Sequence, residues 1–153
     1  MTGTTQTLHA AALLAGNAGL LITGRAGSGK SSLARHIVRE WTDREQFACL
    51  VGDDRIVLNA HHGRLIARSH PAIAGLAEIR GIGIVQMPAE PAACITLVID
   101  LVEGPIERMP DRADMHVILC GIVCPRLCIQ ANMSPDFAES LVRTRLAARD
   151  FRS

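Results

Sequence analysis

The sequence predicts an α/β fold in which a strand-rich mixed sheet carries few helices. Three observations predict it. Apolar segments rich in Val, Ile and Leu, most of them four to nine residues long and bounded by glycine or charge, recur along the chain, a length that suits strands of a largely buried sheet. Only two stretches space their apolar residues as a helix does. Between one of those strands and one of those helices lies a glycine-rich turn that ends in Lys-Ser.

The bulk properties narrow the function classes. A chain of 153 residues, 48% hydrophobic and 20% charged, fits one globular domain over 1–153 with a sizeable core. Sixteen basic residues against fifteen acidic give a net charge of +1, so no global field draws in nucleic acid or an anionic membrane. The N-terminus "MTGTTQTLHAA" has no basic residue ahead of an apolar run and does not read as a secretory signal. The longest nearly apolar run, "MHVILCGIVC", is far short of the ~17–25 residues of a spanning helix. A cytoplasmic protein is therefore expected. Cys49, Cys94, Cys120, Cys124 and Cys128 are odd in number and lack paired CxxC spacing, which favours reduced thiols over zinc or disulfides. Three Phe, one Trp and no Tyr offer no platform for stacking bases.

Taken in order, "LHAAALLAG" and "GLLITG" read as strands closed into a hairpin at Gly16–Gly19, although the Ala-rich first segment suits a helix equally by propensity. Ser31 to Trp41 reads as the first helix, with Leu33, Ala34, Ile37, Val38 and Trp41 on one side. "FACLVGDD" follows as a strand. "RIVLNA" and "RLIARS" form a second hairpin around Ala60–Gly63, with His61 and His62 as solvated turn residues. "EIRGIGIVQM", "ACITLVIDL" and "HVILCGIVC" complete the strands, and Cys120, Cys124 and Cys128 are expected as buried thiols in extended segments. Ser134 and Pro135 open the second helix, which turns Glu139, Arg143 and Arg149 to its polar side.

Gly24-Arg25-Ala26-Gly27-Ser28-Gly29-Lys30-Ser31 satisfies G-x-x-x-x-G-K-[ST], with Ser32 next, directly after a strand and before a helix. Glycines let the backbone curl so that N–H groups face phosphate oxygens, and the helix adds the positive end of its dipole. Lys30 then bridges the terminal phosphates and Ser31 offers its hydroxyl to Mg²⁺. A second metal ligand is normally an acid at the end of a buried strand, and Asp53-Asp54 and Asp100 both qualify. Adjacent carboxylates after a buried strand carry a desolvation cost that a Mg-nucleotide would offset. Their opposed side-chain directions let one face the metal and the other an incoming hydroxyl. A strand-terminating turn accounts for the pair otherwise, and surface solvation is the more ordinary reading of Asp100. As bare sequence, "EIRGIG" is a charged strand entry with a Gly-x-Gly turn, and His9 among alanines is a packed residue.

"HAAALLAGNAGLLITGRAGSGKSSLA", "LVGDDRIVL" and "EIRGIGIV", in that order, resemble the catalytic domain of HPr kinase/phosphorylase in the short form that stands alone. Weaker agreement runs through "TLVIDL", "ERMPD" and "CPRLCI" to the last helix. The resemblance implies a P-loop fold related to the nucleotide domain of phosphoenolpyruvate carboxykinase, assembled as a homo-oligomer. It implies phosphoryl transfer from ATP to a serine of HPr, the phosphocarrier of the sugar phosphotransferase system. Phosphate-driven removal of the same group, giving pyrophosphate, is implied as well.

Carried onto these positions, Gly24 to Ser31 hold phosphates, and Lys30 and Ser31 contact the terminal phosphate and the metal. Asp53 takes the serine proton in the forward direction and returns it in reverse. Asp54 supports metal and geometry, and His9 reaches the active site to tune Asp53. Glu78 and Arg80 lie near the phosphates or at a subunit contact. Arg126 is the basic residue nearest to the mobile cationic loop with which family members clamp phosphates. The sequence departs from the family in a longer segment "REWTDREQFAC", in missing the glycine-and-arginine pattern around Arg126, and in having no N-terminal regulatory domain. Two other readings stay open. One is a small-molecule kinase with a cationic pocket drawn from Arg80, Arg108, Arg112 and Arg126, and the other a nucleotide-binding regulatory protein with little catalysis.

Overall fold

Alternation of large apolar side chains along β3 (Ala18–Gly24) sets the layers. Leu20 and Ile22 pack into a cluster with Leu33 and Ile37 of α1 (Lys30–Asp43) and Val142 of α2 (Pro135–Ala147). Leu21, one residue out of phase, packs on the opposite face with Val51, Ile56, Leu58 and Leu65. A strand whose two faces are both covered reads as a continuous apolar run, as "GLLITG" does. The computed structural model describes residues 4–106, 108–109 and 111–148. Arg149, and Glu107 and Pro110 of "ERMPD", lie outside the described residues.

The central strands run β4 (Ala48–Gly52), β2 (Ala11–Ala15), β3, β9 (Ala92–Val102) and β11 (Ile122–Gln130). β3, β9 and β11 run parallel to one another, and β2 is antiparallel to both β3 and β4. The first residues of the long strand β9 pair instead with β6 (Arg64–Ser69), which continues the sheet through β5 (Arg55–His61) to β1 (Thr5–His9). The result is a mixed, strand-rich α/β architecture with, among the described residues, two α-helices on one face.

Three segments differ from their expected form. "LHAAALLAG" is two strands, because the chain changes partner at Ala10, whose N–H donates to the Asp54 carbonyl. "EIRGIGIVQM" folds as the separate hairpin β7 (Leu76–Ile79) and β8 (Gly83–Gln86). "HVILCGIVC" is likewise the hairpin β10 (His116–Leu119) and β11, whose turn residues Cys120 and Gly121 have φ of 51° and 77°. Positive φ at both turn positions matches the right-handed twist of the strands, so Cys120 sits in a turn rather than in an extended segment. The helix expected at Ser31–Trp41 runs Lys30–Asp43 and absorbs much of the long connection before β4.

Two side chains expected in solvent are committed inside the protein. Glu139 is only 2% exposed, held by Arg143 one turn later and by Arg44, 3.7 Å away on the far end of α1. Asp100 accepts from Thr23 Oγ1 at 3.1 Å and from Arg126 Nε at 3.1 Å, so three neighbouring strands are pinned through one carboxylate. Surface solvation is therefore not its state.

Candidate active site

The turn from β3 into α1 is shaped by two glycines. A Cβ on Gly24 would stand 2.6 Å from Ser28 Oγ, and Gly29, at φ 97°, immediately precedes the helix in a left-handed conformation. α1 has no acidic residue in its first turn and no side-chain cap, so the helix itself does not neutralise the positive end of its dipole. α2 differs, since Asp136 already stands in its first turn. Ser28 is buried with its hydroxyl unpartnered, whereas Arg25, Ala26 and Gly27 are exposed. Lys30 Nζ donates to the carbonyls of Gly24 at 2.9 Å and Arg25 at 3.0 Å. Burial lowers its pKa from the usual lysine value, opposed by the charge of Asp54.

β4 delivers the acidic pair to the same end of the helix. Asp53 and Asp54 occupy the bend between β4 and β5 and point differently, with side chains 8% and 71% exposed. Burial raises the Asp53 pKa above the ordinary aspartate value. Ser31 and Arg35 oppose that rise and Asp54 adds to it. Ser31 Oγ donates to the Asp53 carbonyl at 2.9 Å. Ser31, Asp53, Asp54 and Glu78 line one cavity of about 200 Å³, closed on its apolar side by Leu76, Ala77 and Ile84 of the β7–β8 hairpin.

Other expected members stand farther out. His9 faces Asp54 rather than Asp53, with Nδ1 3.6 Å from its Oδ1 across an exposed gap. Arg80 is exposed in the β7–β8 turn and does not line the cavity. Arg126 belongs to strand β11, bound to Asp100, and lines neither this cavity nor a second one of about 250 Å³ beside Ser28, Gly29 and Ser32. Arg35 was not anticipated. Its Nη1 lies 3.3 Å from Asp53 Oδ2 and 3.5 Å from the Glu78 carbonyl, joining the acid to the hairpin. The signal was its spacing, because a residue four after Ser31 shares that face of the helix.

The sequence profile of the HPr Serine kinase C-terminal domain matches residues 2–120. The chain belongs to this HPr kinase family. An HPr kinase/phosphorylase from Geobacillus thermodenitrificans is 32% identical over 145 residues, 88% of this chain and 44% of that protein. One from Limosilactobacillus reuteri is 28% identical over 145 residues, 87% of this chain and 43% of that protein. The chain thus spans less than half the length of these curated relatives. The Hpr(Ser) kinase/phosphatase structure from Coxiella burnetii superposes with a TM-score of 0.73 at 33% identity, covering 95% of this chain and 99% of the other. That match extends the family likeness beyond residue 120, through β11 and α2. Among the described residues no helix is long and apolar enough to cross a membrane.

Proposed function

We propose that this HPr kinase family chain, as one catalytic unit over 1–153, transfers the terminal phosphoryl group of ATP to a serine of an HPr-type phosphocarrier, and that inorganic phosphate drives the reverse. The observation that carries this reading is the single cavity shared by Ser31, Asp53 and Asp54 at the uncapped end of α1. Its donor set also fits a Mg²⁺ ion, since a hydroxyl and two carboxylates are hard oxygen ligands. When bound with the nucleotide, the ion would neutralise charge on the phosphate oxygens.

The chain's own groups do the remaining work. The P-loop amides and the helix dipole hold the phosphates, and Lys30 exchanges its two loop carbonyls for terminal phosphate oxygens. Asp53, half-enclosed and steadied by Arg35, accepts the proton from the serine hydroxyl as its oxygen bonds to phosphorus and the bond to ADP breaks. In reverse, a phosphate oxygen bonds to the phosphoserine phosphorus as its bond to the serine oxygen breaks, Asp53 returns the proton to that oxygen, and pyrophosphate is the product. Asp54 sits on the solvent side of the same cavity, near the charge of Lys30, where it serves the metal.

The test mixes the full chain with Mg-ATP and a cognate HPr, looks for phosphoserine by mass spectrometry, then adds phosphate and assays pyrophosphate. Both products are expected. Nucleotide binding without phosphoserine would move the assignment to a small-molecule kinase or a regulatory nucleotide-binding protein.

A further inference from the structure

Away from the P-loop cavity, α1 and α2 bring together an imidazole and two carboxylates that the reaction does not use. We propose that His36, Glu40 and Asp136 form a binding site for a divalent ion of the zinc class, which clamps the two helices together. His36 and Glu40 are four residues apart on one face of α1, and Asp136 stands in the first turn of α2. One ligand atom from each lies within 4.8 Å of the other two. His36 Nε2 is 2.8 Å from Asp136 Oδ1 and 4.0 Å from Glu40 Oε1. Four-coordinate zinc with bonds of about 2.1 Å separates its ligands by about 3.4 Å, so the observed distances straddle the required one and side-chain adjustment meets it.

A second observation concerns the ring nitrogen itself. Nε2 is sealed from solvent, yet the contact with Asp136 is not aligned as a hydrogen bond, which leaves a buried polar atom without a hydrogen-bond partner. Such an atom costs stability unless something coordinates it. The surrounding charge is suitable. Glu40 Oε2 takes Arg44 at 3.5 Å, and Glu139 takes Arg44 and Arg143, so the acids Glu40, Asp136 and Glu139 exceed these two cations by one before an ion arrives. Imidazole with carboxylates suits Zn²⁺, Co²⁺ or Ni²⁺ and distinguishes this cluster from the all-oxygen cavity at Asp53. Asp136 is exposed, which gives the ion its entry path.

The consequence reaches the P-loop through α1, whose first residue is Lys30. The cavity of about 250 Å³ beside Ser28 and Gly29 is framed by the start of α1 and the start of α2, so a clamped helix pair fixes its width. Ion binding here is independent of phosphoryl transfer, and either can fail while the other stands.

The site is tested on the metal-stripped full chain titrated with ZnCl₂ and CoCl₂, comparing wild type with H36Q and D136N. Each substitution is expected to weaken Zn²⁺ binding at least about tenfold and to abolish a Zn²⁺-dependent rise in Tm. The Co²⁺ form of the wild type is expected to lack the thiolate charge-transfer band that the free cysteines would produce. Equal Zn²⁺ affinity in wild type and D136N, or a thiolate band in the wild-type Co²⁺ form, would overturn the site. Asp136 is exposed, so D136N keeps the test decisive if H36Q does not fold.

Discussion

Asp53 is poised between opposed influences. Burial lifts its pKa, while the Ser31 hydroxyl and the Arg35 guanidinium hold it down. A base must be ionised to accept a proton, so the acid limb of kcat/KM for transfer is expected above the ordinary aspartate value. Arg35→Met removes a lowering influence and should move that limb to higher pH. Asp54→Asn removes a raising one and should move it lower, while loss of the proposed metal ligand should also depress the plateau. The pH profiles of the two variants should therefore shift in opposite directions, and a common direction would detach the limb from Asp53. Asp53→Asn should keep nucleotide binding and lose about 10²–10⁴-fold in transfer, measured as phosphoserine formed per minute. At this scale much of the candidate site was legible as pattern, because a glycine-rich Lys-Ser turn and an acid pair after a strand are local in sequence. His9 and Arg35 were less so. The acid that His9 faces depends on the Ala10 N–H donating to the Asp54 carbonyl, and Arg35 gains its role only when β4 returns beside α1.

At the scale of elements, both helices were readable, and the two expected hairpin turns were readable from Gly16-Asn17 and from the glycine of Ala60–Gly63, whereas the hairpins β7–β8 and β10–β11 and the change of strand partner at Ala10 were not. Nothing local marks it, since alanine fits either sheet and the decision is made by which strands arrive. The buried Glu139 was missed for a related reason. A glutamate four residues before an arginine reads as a surface pair, and only the approach of Arg44 from α1 makes its enclosure tolerable. Arg143→Met should consequently destabilise the fold by about 1–3 kcal/mol in urea titration. That lies below the ~3–5 kcal/mol of a fully buried pair, because Arg44 remains and Arg143 is half in solvent. Ile37→Ala, which opens the packing of α1 on the sheet, should cost about 2–5 kcal/mol. An exposed Arg39→Ala on the same helix should stay within about 0.5 kcal/mol. Similar costs for the last two would mean that α1 is not seated on the sheet as described.

For the molecule as a whole, parallel strands β3, β9 and β11 end at the same level as the uncapped start of α1 and as the Asp100 carboxylate that ties them together. The strand order could not be foreseen, because parallel neighbours are chosen by tertiary packing rather than by any turn between them. A nucleotide seated on this framework binds the folded chain and not the unfolded one, so it adds to stability by mass action. At a hundredfold excess over Kd the added stability is about 2.7 kcal/mol, which for a chain of this length raises Tm by about 5–10 °C. Lys30→Met should erase most of that rise while the unliganded protein keeps its fold, since Lys30 touches only loop carbonyls. Asp53→Asn should retain the rise and lose transfer. The pair separates holding phosphates from moving one: an unchanged nucleotide-dependent shift in Lys30→Met would remove the P-loop from binding, and a lost shift in Asp53→Asn would make that acid a nucleotide ligand instead of a base.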